Sequence, residues 1–156
     1  MPKPLRPPIG RQLARTAKTV SRAFDDALAE AGGSVPVWLV LISLKSQRLH
    51  NQRELAAAVG IREATLTHHL NAMDERGLIS RRRDPSNRRV HLVELTDAGE
   101  SAFDRLRSAA TDFDKRLRAG LSDEDIDLLA GLLGRLEANV TGTASVPSSP
   151  AASLPG

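Results

Sequence analysis

The chain of 156 residues contains no cysteine, which excludes disulfides, thiolate metal sites, a thiol nucleophile and thiol-based peroxide sensing. It also lacks any uninterrupted apolar stretch that could span a bilayer. The opening MPKPLRPPIG has basic residues and prolines but no apolar run of signal-peptide length. A soluble, cytoplasmic protein with no membrane partner is therefore expected. Catalytic signatures are missing too: there is no GxSxG, P-loop, GxGxxG or HExxH, so neither an enzyme nor a cofactor is expected. The length suits one domain with a single core.

What is present is unevenly charged. Residues 1–44 hold six Lys/Arg against three Asp/Glu, residues 45–91 ten against five, and residues 92–156 six against eleven. A chain basic in its first and middle parts and acidic in its last suits a polyanion partner in one portion and a different task, such as self-association, in another.

Periodicity predicts the elements. Ile9, Leu13, Ala17, Val20, Phe24, Ala27, Leu28 and Ala31 follow three- and four-residue steps until Gly32-Gly33, predicting a long first helix with a narrow apolar stripe. Ser34 can cap a second helix with Pro36 in its first turn, and VWLVLISL, apolar nearly all round, makes that helix central. Asn51 and Glu54 form an Asn version of the capping box before ELAAAV, which ends at Gly60; a longer helix follows from near Arg62 to about Gly77.

The period then changes. ISRRR and RVHLVEL are β-type runs, the second alternating Val90, Leu92 and Glu94 against His91, Val93 and Leu95, and DPSN between them carries turn chemistry, giving a hairpin with an arginine-rich tip. Thr96-Asp97 opens a helix that stops at Gly120. Ser122 and Asp125 open the last one, with Ile126, Leu129, Leu132, Leu133, Leu136 and Val140 on one face. The fold class expected is mainly α with a small β-hairpin wing. It comprises a flexible arm over 1–8, one domain over 9–140 (winged helix-turn-helix about 35–96, dimerisation helices about 9–31 and 97–140) and an uncharged, disordered tail over 141–156.

A helix-turn-helix followed by a wing has a mechanical reason to bind double-stranded DNA: the second helix can enter the major groove while the first braces it. In that second helix Leu66, Leu70 and Met73 should pack inward, leaving Thr65, Thr67, His68 and Asn71 outward, where short polar side chains can meet base edges or phosphates. Arg81, Arg82, Arg83, Arg88 and Arg89 stand against a lone acid, Asp84, and suit phosphates and a narrow minor groove. The adjacent His68 and His69 are poor co-ligands, because neighbouring helical residues do not share a face. His69 is expected to pack on the lobe and His68 to face DNA. Trp38 is read first as core beneath the helix-turn-helix and second as the lining of an effector pocket.

From roughly Ile9 to Val140 the chain resembles MarR-family transcriptional regulators, most densely over ELAAAVGIREATLTHHLNAMDERGLISRRRDPSNRRVHLVELTDAG. The resemblance rests on the ELA…G…T helix-turn-helix, the DERGLISR run into the wing, the wing ending in LTDAG, and Trp38. It implies a homodimer whose first, fifth and sixth helices interlock, a pseudo-palindromic operator, and repression relieved by a small molecule bound between the dimerisation helices and the DNA-binding lobe. By the same resemblance Thr65 and Thr67 face DNA and Arg89, with Arg88 beside it, enters the minor groove.

The chain departs from the family pattern at three positions. Asn87 stands where Asp is common, so a salt bridge bracing the wing arginine is weakened or becomes a hydrogen bond. His68 stands where Arg is frequent, making that contact depend on pH. Arg62 stands where a Ser/Thr-type cap is frequent, forgoing about 1 kcal/mol of capping but adding a cation at the groove. Two other readings stay open: a nonspecific architectural DNA binder sharing the basic lobe, and a ligand-sensing or interaction module with weak DNA binding.

Overall fold

The computed structural model describes residues 6–46 and 50–142; the expected tail from 143 on, and the arm before Arg6, lie outside them. The chain falls into two units, one ending at Lys115 and one beginning at Arg116.

In the first unit α1 (Ile9–Glu30) stops where the glycine pair permits it. Gly32 adopts φ 83°, and the N–H groups of Gly32 and Gly33 donate to the carbonyls of Ala29 and Leu28, closing a Schellman-type end. Ser34 then caps α2 (Val35–Ser46), accepting from the Val37 N–H at 3.4 Å. Trp38, Val40, Leu41 and Leu44 of α2 are buried, which makes it the hub of the core, although Leu39 and Ile42 on its other side remain exposed.

The helix-turn-helix is α3 (Gln52–Val59) and α4 (Glu63–Glu75). Asn51 and Glu54 close the capping box in both directions, and Gly60 takes the left-handed conformation, φ 77°, that the tight turn needs. Leu66, Leu70 and Met73 of α4 are at most 1% exposed and meet Leu55 and Ala56 of α3 within the core cluster.

The wing contains β2 (Ile79–Arg83) and β3 (His91–Leu95), paired antiparallel with Ile79 opposite Leu95 and Arg81 opposite Val93. A short strand, β1 (His50–Asn51), adds to the far side of β3, so the sheet has three strands in the order β1-β3-β2 rather than the two expected. At the tip the Asp84 carboxylate accepts from the Ser86 N–H at 2.9 Å and the Ser86 hydroxyl at 2.7 Å. Those bonds hold its pKa below the ordinary carboxylate value.

Thr96, between β3 and α5 (Asp97–Leu117), ties three elements together. Its hydroxyl accepts from the Gly99 N–H, capping α5, and donates to the Gly77 carbonyl at the end of α4, while its N–H donates to Leu78. A Cβ on Gly99 would collide with the Leu78 carbonyl, which explains glycine three residues after the threonine in LTDAG. The Phe24 and Phe113 rings, 5.1 Å apart, join α1 to α5.

In the second unit α6 (Asp123–Thr141) starts from a reciprocal capping box of Ser122 and Asp125. None of its residues is buried, and Leu128, Leu129, Leu132 and Leu133 are 40–64% exposed. Among the described residues no single helix is long and apolar enough to cross a membrane.

Two outcomes test this packing. Gly99→Ala must displace a backbone carbonyl and should lower the unfolding free energy by about 1–3 kcal/mol, read as an earlier urea midpoint. Gly131→Ala, with open space at its Cβ, should not lower it; equal midpoints would show that the Leu78 contact is slack. At the wing tip, a carboxyl whose folded pKa is lowered adds stability above its unfolded pKa and loses it as pH falls through the folded one. In an NMR titration Ser86→Ala should therefore raise the Asp84 midpoint toward the ordinary value, and an unmoved midpoint would contradict the assigned bonds.

Candidate nucleic-acid interface

The buried stripe of α4 decides which of its side chains are available. With Leu66, Leu70 and Met73 facing the core, Thr65, His68 and Asn71 fall three residues apart in one exposed row. Neither the Thr65 hydroxyl nor the Asn71 amide has a hydrogen-bond partner among the described residues, so both can serve an incoming ligand. His68 is exposed and His69 half-buried, their rings 5.8 Å apart and inclined by 62°. No group of three or more His, Asp or Glu among the described residues could hold a metal ion.

Thr67 differs from its neighbours. It is half-buried, its hydroxyl donates to the Glu63 carbonyl one turn back at 2.9 Å, and it accepts from the Gln52 side-chain amide at 2.6 Å. Gln52, at the first position of α3, had no signal in the sequence; it becomes visible only when the two helices are set across the turn. Arg62 is the N-cap residue of α4, with extended backbone and no side-chain cap bond, so its guanidinium is left at the helix entrance.

The five wing arginines divide into two sets. Arg81 lies on the inner face of β2 and grips Asp74 in the last turn of α4 through two bonds of 3.0 and 3.2 Å, fastening the wing to that helix. Arg82 pairs with Glu94 of β3 at 2.7 Å. Arg83, Arg88 and Arg89 are exposed, and among the described residues their guanidiniums have no carboxylate partner. Asn87 accepts from the Arg89 backbone N–H at 3.2 Å, and its carbonyl accepts from Val90, so it shapes the chain under the arginines while leaving their charge free. The engaged pairs were hidden from sequence reasoning because Arg81 and Asp74 are brought together only by the Gly77 turn, where φ is 70°.

Trp38 is 9% exposed and stacked on Phe103, with ring centroids 5.5 Å apart, while Lys45 and Arg107 stand over the Phe103 ring. A separate groove of about 560 Å³ runs along α1 past Arg11 and Arg15, and Trp38 does not line it.

Residues 34–91, which include both helices of the turn and most of the wing, match the sequence model of the MarR family. Among solved structures, the transcriptional repressor CouR bound to a 23-mer DNA duplex is 30% identical, with a TM-score of 0.75 over 83% of this chain and 92% of that one. A probable transcriptional regulator from Pseudomonas aeruginosa is 29% identical (TM-score 0.71, 83% and 96% covered). A MarR-family regulator from Rhodococcus sp. RHA1 is 27% identical (TM-score 0.69, 88% and 95% covered). A winged helix-turn-helix with its polar row exposed, matched by the family's own sequence pattern and by a relative spanning the domain, gives the conclusion: the chain belongs to the MarR family of transcriptional regulators.

Proposed function

We propose that this regulator is a cytoplasmic, non-enzymatic repressor that binds a pseudo-palindromic operator in double-stranded DNA as a homodimer and releases it when a small molecule binds. The observation that carries the reading is the exposed row Thr65, His68 and Asn71 together with Arg83, Arg88 and Arg89 of the wing, which have no carboxylate partner among the described residues. Hydroxyl and amide groups on a helix that fits the major groove can read base edges, whereas guanidiniums at a hairpin tip suit phosphates and the minor groove. Thr65 and Asn71, without hydrogen-bond partners among the described residues, favour sequence-specific reading over purely electrostatic binding. Arg62 adds a cation at the start of the helix, and Arg81 serves the interface by fixing the wing to α4. The DNA-bound state of the related repressor CouR supports the same partner.

Dimerisation is supported by apolar surface that one copy leaves open. In the first unit Ile9 and Leu13 of α1 are exposed, and in the second Leu128, Leu129, Leu132 and Leu133 of α6; association of two copies would cover apolar surface in each. A small aromatic effector is supported by the Trp38–Phe103 stack, and an anionic group on it by Arg107 over the Phe103 ring, since Lys45, over the same ring, is already paired with Glu100 at 2.7 Å.

Arg89→Ala should weaken operator binding and make the plot of log K against log salt shallower by about one unit. Thr65→Ala should alter the preferred sequence with the slope unchanged. Full affinity of Arg89→Ala at moderate salt would remove the wing from the interface.

A further inference from the structure

We propose that Gln52 is a specificity-determining residue, clamped on Thr67 so that its carboxamide reads an adenine in the major groove. The proposal rests on the reading of α4 as the DNA-facing helix. Thr67 alone is poorly equipped for polar recognition: its single O–H is directed to the Glu63 carbonyl, and one of its two lone pairs takes the Gln52 N–H. What Thr67 retains is a methyl group and one acceptor site.

Gln52 is better equipped. The bond to Thr67, at 2.6 Å, uses one of its two amide hydrogens and leaves the carbonyl oxygen and the second N–H without a partner among the described residues. That pair is one acceptor and one donor, the arrangement that complements the N6 amino group and N7 of adenine. Holding the side chain against α4 removes rotamer freedom that a glutamine would otherwise lose on binding, so the clamp preorganises the contact. The capping box of Asn51 and Glu54 fixes the backbone from which Gln52 projects, and the Gly60 turn fixes its distance from Thr67. Two helices thus supply one reading group: Gln52 for the polar edge, Thr67 for its orientation.

The test is binding of the purified full chain to a panel of duplexes. The preferred site is first selected from a random pool, and each half-site position is then varied through all four base pairs. Unfolding midpoints of each variant confirm that it is folded. For Gln52→Ala the preference for A·T should collapse at one position of the half-site, by between about fivefold and a hundredfold, with the salt slope unchanged because the side chain is neutral. Thr67→Val, which keeps the shape and deletes the hydroxyl, should lose the preference at the same position, whereas Thr67→Ser should retain it. Gln52→Glu, an acceptor only, should shift that position toward cytosine. Equal weakening by Gln52→Ala on every duplex, or an unchanged preference, would overturn the assignment while leaving α4 as the reading helix. A parent protein that discriminates among no duplexes would overturn that broader reading as well.

Discussion

The structure depends on the one-sided burial of α4. Leu66, Leu70 and Met73 are sealed against α2, α3 and the sheet, at most 1% exposed, and replacing any of them with alanine would cost on the order of 2–5 kcal/mol. Because that face is committed, helical geometry leaves Thr65, His68 and Asn71 no choice but the outside. The same burial sets the height of α4 above the sheet, so that Asp74 meets Arg81 and the Gly77 carbonyl meets Thr96.

Around that anchor, similar residue types are put to different uses. Two wing arginines are neutralised locally, and exposed ion pairs of this kind contribute only about 0–1 kcal/mol each; their service is to hold the wing's direction. The others keep their charge. Hydroxyls divide likewise, with Thr96 knotting α4, the wing and α5 together, Thr67 bonded to Gln52, and Thr65 without a partner among the described residues. Polar residues of one type are therefore not interchangeable, since some are engaged with their neighbours and others have no partner among the described residues.

Much of this was legible in the chain. Capping boxes at Asn51 and Ser122, glycines at 32, 60 and 77, and the three- and four-residue apolar steps are local signals, and the helices begin and end within about three residues of where those signals put them. β1 was not legible: two residues carry no alternation, and Asn51 is occupied as an N-cap, so its pairing with Leu92 of β3 depends on the folded sheet. Nor could sequence separate Arg81 from Arg89 or give Gln52 a role. Those distinctions arise from contacts across turns, between residues 7 and 15 positions apart. The histidines followed helical geometry, with His68 exposed and His69 half-buried.

We propose that the polar row of α4 and the wing arginines without a carboxylate partner among the described residues form a sequence-reading surface presented twice by a dimer, and selection of duplexes from a random pool with the purified protein tests it most directly. Enrichment of one pseudo-palindromic motif whose half-sites are centred about one helical turn apart is expected. Recovery of a pool no different in sequence from the input, despite salt-sensitive binding, would contradict it and leave only a basic surface without readout.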